Sequence, residues 1–375
     1  MAIVIVCNLV KSCCMARIAW KQDPAPLITL GDLIASFLNR HDPTTRGNCL
    51  AEEVQFSMND STNRWIAGSD CPRKAACSLN RIDDWNGTTW SERPSNWKTT
   101  KARWFVLASR QRWIVSISIC TAILSAASVI LDVGLTNPDL PETSFSSLWS
   151  MGFGTVSPYS TLQMSMSGSS GLFLTILTSD SPQLLLSFLY LNYNGLFTAM
   201  LLGREWNAYA THRKPLRVTS PRGQQRSTYW LQLPYRYSIP LLLASAALHW
   251  LVSQSLFLAY VTSLDHNEKP SKIIATCGYS NIAIIFMIIL GSLLVLLALG
   301  QGFWRLNPIM SLARSCSAAI SAACHPPEGD TDAALRPVKW GVVGNSDISH
   351  EEKGLKHCTF TSLEVKEPVE GQLYS

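Results

Sequence analysis

Four stretches of this 375-residue chain are almost free of charge: residues 113–133, 183–203, 239–261 and 281–303. A helix of about 20 apolar residues, rising about 1.5 Å per residue, crosses a hydrocarbon core of about 30 Å. Inside that core only a helix satisfies its own backbone amides. The pattern therefore predicts an all-α membrane protein with about four transmembrane helices at those positions. Three regions follow. Residues 1–112 read as polar and partly disordered, 113–303 as a transmembrane helical bundle, and 304–375 as a juxtamembrane helix and a flexible cytoplasmic tail. In the tail, 337–343 stand out as a small docked segment. The first block holds one charge, Asp132, at its far end. Ahead of the second, Ser179-Asp180-Ser181-Pro182 reads as a helix start, because a side-chain oxygen acceptor is favoured before the first turn and Pro is tolerated in it. The apolar piece 171–178 is too short to span and reads as interfacial or re-entrant.

Charge in the connections orients these blocks. Residues 93–112 carry six Lys or Arg and no acid, whereas 134–182 carry no Lys or Arg and three acids. Residues 204–238 carry seven basic residues against Glu205; 262–280 are balanced at two and two; 304–325 carry two basic residues and no acid. Basic connections stay on the cytoplasmic side. The alternation is the one that four spans require when both termini are cytoplasmic. Tyr229, Trp230, Tyr235, Tyr237, Trp113 and Trp304 cluster at block ends, where amphipathic rings prefer the headgroup level.

Composition excludes several classes. The net charge of +5 is spread along the chain, so no nucleic-acid partner is expected. Of eleven cysteines, only Cys277 falls on the outer side of this layout, so no disulfide framework is expected. The N-terminus lacks the basic start and the small-residue cleavage site of a signal peptide. Sequons at Asn59 and Asn86 matter only in a lumenal segment. Gly-rich phosphate loops and metalloprotease or nucleophile-elbow motifs are missing. No catalytic residue, cofactor or enzymatic activity is therefore expected. Cys324-His325 and His357-Cys358 offer two sulfur and two imidazole ligands, but adjacent ligands point apart and zinc spacing is absent, so no metal is expected either.

Three sets of residues are candidates for function. Asn192 and Asn194 in the second block, His249 and Gln254 in the third, lie near mid-depth. Such a polar layer reads either as a pathway with a titrating His or as interhelical hydrogen bonding that fixes register. Arg213, Lys214, Arg217, Arg222 and Arg226 form a basic face beside two spans. Besides setting topology, they suit anionic lipid head groups, at about 1 kcal/mol per basic residue. Cys316 and Cys324, in the small-residue segment after the fourth block, are candidates for palmitoylation. The partner these features imply is the bilayer itself. The leading expectation is a scaffold or sensor with a basic cytoplasmic face, and the alternative is a small transporter or channel using the layer around His249.

Longer strings carry a resemblance. Leu184-Leu-Leu-Ser-Phe-Leu-Tyr-Leu-Asn-Tyr-Asn-Gly-Leu-Phe197, Gln225-Arg-Ser-Thr-Tyr229, Leu231-Gln-Leu-Pro-Tyr-Arg236 and His249-Trp-Leu-Val-Ser-Gln-Ser255 occur in order. Thr276-Cys-Gly-Tyr-Ser280, Cys316-Ser-Ala-Ala-Ile-Ser-Ala-Ala-Cys-His-Pro-Pro327, Lys339-Trp-Gly-Val-Val343 and His357-Cys358 follow. Together they resemble a family of fungal multi-pass membrane proteins defined by domain of unknown function 6536. The resemblance implies membrane class and no particular activity.

Overall fold

The computed structural model describes residues 2–20, 27–53, 95–98, 101–138, 140, 142–156, 160–162, 169–229, 233–264, 270–344 and 356–375. Among them are eight α-helices: α1 (Ala2–Trp20), α2 (Leu30–Asn39), α3 (Arg110–Leu135), α4 (Phe145–Ser150), α5 (Ser169–Thr211), α6 (Tyr235–Ser255), α7 (Asn281–Gly302) and α8 (Ser317–Ala322). The strands are β1 (Ser95–Asn96), β2 (Ala102–Arg103), β3 (Thr161–Leu162), β4 (Arg217–Val218), β5 (Arg226–Ser227), β6 (Leu256–Leu264), β7 (Pro270–Tyr279), β8 (Arg305–Leu306), β9 (Lys339–Val342), β10 (Cys358–Thr361) and β11 (Leu373–Tyr374). Of the region 1–112 that reads as partly disordered, residues 54–94, with both sequons, Cys71 and Cys77, lie outside the described residues, as does Trp230.

Two compact units share the chain. One combines Thr100–Arg204 with Tyr229–Pro308. Its helices α3, α5 (from Phe173) and α7 are long and apolar enough to cross a membrane. Their outer faces are apolar, with Leu184, Leu185, Phe188 and Leu191 on α5 and Leu293, Leu296 and Leu297 on α7 all exposed. Side chains of that kind need a nonaqueous surround. Inside, Ala127, Leu186, Leu248, Leu251, Val252, Ile284 and Met287 form the core where α3, α5, α6 and α7 meet. An apolar cavity of about 120 Å³ lies among these helices, lined by Cys120, Pro182, Leu186, Leu248 and Met287.

Two expectations are corrected here. The tetrapeptide 179–182 does not start a helix: α5 runs through it without a break and takes in 171–178. The serines bond backward instead of capping forward. Ser179 Oγ donates to Thr175 O at 2.9 Å, and Ser181 Oγ to Thr178 O at 3.4 Å. Pro182 has no N–H for the carbonyl four residues earlier, which is that of Thr178, so Ser181 supplies the missing donor. The third block is also divided. Its pattern carries a helix to residue 261, but α6 ends at Ser255 and the chain continues as β6. From Leu256 the run Leu-Phe-Leu-Ala-Tyr-Val-Thr has strand-favouring residues, and β7 supplies an antiparallel partner from Leu256↔Tyr279 onward. With Pro240, His249 and Gln254 inside it, α6 is not among the three most apolar long helices.

The other unit combines Met1–Thr99, Glu205–Thr228 and Ile309–Ser375. Its fold begins at α2, where Thr29 and Asp32 form a reciprocal capping box. Gly31 permits a close approach: a Cβ there would stand 2.1 Å from Arg217 O. The basic segment is threaded into this unit. Lys214 N donates to Val338 O at 3.0 Å and Val338 N to Lys214 O at 2.9 Å. The tail also folds in its described part. β9 and β10 pair antiparallel with Phe360 opposite Trp340, and Trp340, Phe360 and Tyr374 are fully buried. Asp330 fastens this sheet, accepting from Ser362 N at 2.7 Å, Ser362 Oγ at 2.6 Å and Thr361 Oγ1 at 2.5 Å.

Candidate functional site

The richest cluster of reactive side chains lies where three distant segments of the second unit converge. Asp42 caps a short turn by accepting from Thr44 N at 3.0 Å. Gly47, at φ +76°, then reverses the chain so that 48–51 turn inward. Thr45 Oγ1 lies 2.9 Å from Ser321 Oγ and 3.1 Å from His325 Nε2. The 321–325 segment is tied in turn to β10: Phe360 N donates to Ala323 O at 2.9 Å and Thr359 Oγ1 to the same oxygen at 3.2 Å. This stacking brings Cys49, at 2% exposure, against Cys358, at 0%, and against His357. The His325 and His357 rings lie 6.5 Å apart, and His41 lies 6.2 Å from His325.

Electrostatics differ sharply within the cluster. Burial alone pushes the Cys49 thiol up, but hydrogen bonds from Cys358 and His357 and the charge on His357 outweigh it and bring it down to about 5. Burial disfavours the charged form of His357, yet hydrogen bonds and charge from Cys49, with main-chain acceptors at Ser375 and His325, raise it above the ordinary imidazole value. Burial pushes the Cys358 thiol up, and the neighbouring Cys49 adds to that. Burial also holds Cys324 up, while His325 is brought down to about 4 by burial and by the charges of His357, His41 and Arg46. Burial and contact together thus move the two thiols in opposite senses, lowering Cys49 and raising Cys358. Among the described residues no group of three or more His, Cys, Asp or Glu has metal-binding geometry. His357 illustrates why, since both ring nitrogens are turned to main-chain oxygens. Sequence reasoning paired 324–325 with 357–358 but missed Cys49, whose loop carries no motif.

The other candidate residues are placed as follows. His249 Nδ1 lies 2.7 Å from Gln183 Oε1, and Gln183 Nε2 donates to His249 O at 3.0 Å. Asn192 Nδ2 donates within its own helix to Phe188 O at 2.9 Å. Asn194 O accepts from Thr198 Oγ1 at 2.7 Å, and Gln254 Nε2 donates to Ser253 Oγ at 3.3 Å. None of these bonds joins one member of the layer to another; the partner of His249 is Gln183. On the basic face, Arg213 donates to Pro337 O at 3.3 Å, to Leu363 O at 2.6 Å and to Ser362 O. Arg217 faces Glu205 at 3.8 Å. Arg222 and Arg226 are exposed. Cys316 is half-buried whereas Cys324 is fully buried, so Cys316 is the thiol of that pair with solvent access.

Three apolar helices of spanning length, joined to a folded polar unit, define a mostly helical membrane protein. The chain belongs to the family described as Domain of unknown function (DUF8419), whose model matches residues 29–374. That family replaces domain of unknown function 6536, which the residue strings suggested; the common ground is a domain family without an assigned activity. No curated protein and no solved structure matches.

Proposed function

We propose that this is a multi-pass membrane protein with four spans and both termini cytoplasmic, whose folded polar unit serves as a non-enzymatic scaffold or sensor. One observation carries the reading. The segments that charge bias assigns to the cytoplasmic side, 205–228 and the tail from 309, fold together with 27–53. Conversely, the segments assigned outside pair with each other: β3 with β7, Tyr279 N with Ser160 O at 2.9 Å, and Ser280 Oγ with Gly152 O at 3.2 Å. A cytoplasmic unit assembled from the N-terminal region, one connection and the tail is a ready platform for a partner, and Arg222 and Arg226 leave it a basic edge for anionic head groups. The bonded pair Gln183–His249 supports helix register more than a solute path, which places the transporter reading second.

Capture from native membranes tests the scaffold reading. Cross-linking followed by purification in mild detergent should recover partner proteins in defined ratio. Gly31→Ala, which disrupts the polar unit at its contact with Arg217, should lose them while the chain stays membrane-inserted. Recovery of the chain alone, or partners unaffected by that variant, would overturn it.

A further inference from the structure

The thiol and imidazole cluster has a chemistry that the scaffold reading does not use, and it stands whether or not a partner is found. Each His357 ring nitrogen faces a main-chain oxygen: Nδ1 that of Ser375, and Nε2 that of His325 at 3.2 Å. A neutral imidazole has one N–H and one lone pair, so it can donate to only one of them. The protonated ring donates to both. A buried imidazolium calls for a counter-charge. The groups around it are Ser375, the last residue of the sequence, whose oxygen faces Nδ1, then Cys49 and Cys358 in contact, His325 beside it, and His41, Arg46 and Asp42 around His325. Of the groups in contact, Cys49 receives the Cys358 thiol and the Cys358 N–H, and the His357 ring stands beside it as the nearby positive charge.

We propose that Cys49 and Cys358 form a redox-active dithiol, with Cys49 the thiolate paired to imidazolium His357 and Cys358 the resolving thiol, oxidised by a small hydroperoxide to a disulfide. In the first step Cys49 sulfur attacks the peroxide: an S–O bond forms and the O–O bond breaks. The leaving oxygen takes a proton from His357 and departs as water or an alcohol. Cys49 loses two electrons to become a sulfenic acid, and the hydroperoxide gains them. Next, neutral His357 takes the Cys358 proton, and Cys358 sulfur attacks the Cys49 sulfur. The S–S bond forms, the S–O bond breaks and hydroxide leaves as water with that proton. A small dithiol reverses the reaction. Burial of both sulfurs favours an oxidant as small as a hydroperoxide over bulky disulfides. The product covalently joins the segment containing α2 to strand β10, fixing one form of the polar unit.

The test uses the full-length protein in native membranes. After brief hydrogen peroxide treatment and alkylation, non-reducing peptide mass spectrometry should show a Cys49–Cys358 linkage that dithiothreitol reverses. Cys358→Ser should instead accumulate a dimedone-reactive Cys49. His357→Asn should slow Cys49 oxidation at neutral pH by about tenfold or more, through loss of the thiolate's counter-ion. The unmodified chain gives a reading that does not depend on variants folding. Its Cys49 should react with iodoacetamide with a half-maximal rate below about pH 7, whereas an ordinary thiol reaches it near about 8.5. Oxidation confined to half-buried Cys316 and the exposed Cys7, Cys13 and Cys14, or an ordinary pH profile at Cys49, would overturn the proposal.

Discussion

At the scale of single residues, Asp32 shows how one side chain serves two structures. Its carboxylate closes the α2 capping box by accepting from Thr29 N at 2.9 Å. It also accepts from Thr219 N at 2.8 Å and Thr219 Oγ1 at 2.7 Å, clamping the helix to the segment after β4. Burial alone would raise its pKa, yet the hydrogen bonds from Thr219 and Thr29 prevail and hold the carboxyl below the ordinary range. A carboxyl lowered in the folded state adds stability at pH values above its unfolded value, about 3.9, and loses it as pH falls through the folded value. Asp32→Asn places an amide donor against the Thr219 donors. It should cost about 2 kcal/mol at pH 7, from a lost charged bond and a weakened cap. Limited proteolysis of the polar unit at graded temperature measures this. The gap between variant and parent should close below about pH 4, since protonation then disables the parent's carboxylate too. A gap that persists unchanged at low pH would show that the clamp is not ionic.

At the scale of elements, the joint between α5 and α6 rests on the reciprocal pair Gln183–His249. Gln183→Leu strips His249 Nδ1 of its partner in apolar surroundings, and His249→Leu strips Gln183. Each single change should lower resistance to unfolding in mixed micelles, and the double change should cost less than the sum. The interaction energy should fall in the range of about 0.6 to 1.7 kcal/mol seen for such bonds in membranes. Strict additivity would separate the two helices energetically. Gln183 also shows where sequence reading stopped. It opens the second apolar block, so it read as the end of a span, because Ser179 to Pro182 look like a cap when the backward hydrogen bonds of the serines are unseen. The positions of α3, α5 and α7 were legible because a lipid-facing helix is apolar all round. Strand β6 was not, because Leu256 to Val261 continue the apolar run, and only the pairing with β7 distinguishes strand from helix there. The tail sheet escaped for a related reason: β9 and β10 are four residues each, and their burial depends on partners far away in the chain. His357, Cys358, Cys324 and His325 were visible as pairs of neighbours. Cys49 was not, since its contact with them arises only from the Gly47 turn and the bond from Thr45 to Ser321.

At the scale of the whole molecule, the number of crossings is a parity problem. Between 205–228 and the tail lie α6 and α7. If only α7 crossed, those segments would face opposite sides of the membrane. The exchanged bonds between Lys214 and Val338 and the grip of Arg213 on Pro337 and Leu363 would then be impossible. The pairing of β3 with β7 likewise requires an even number of crossings between residues 162 and 270, the number that α5 and α6 would give if both span. Despite its polar residues, α6 is therefore expected to span, screened by its neighbours: Leu248, Leu251 and Val252 lie in the core, and the His249 ring meets Gln183. Epitopes inserted after Thr155, after Gly223 and after Gly371, each at an exposed site, test this in sealed vesicles of known orientation. Four crossings predict that the second and third share one accessibility to protease and that the first has the opposite one. Three crossings, with α6 re-entrant, would instead split the second from the third, and the polar unit could not exist as a single folded body.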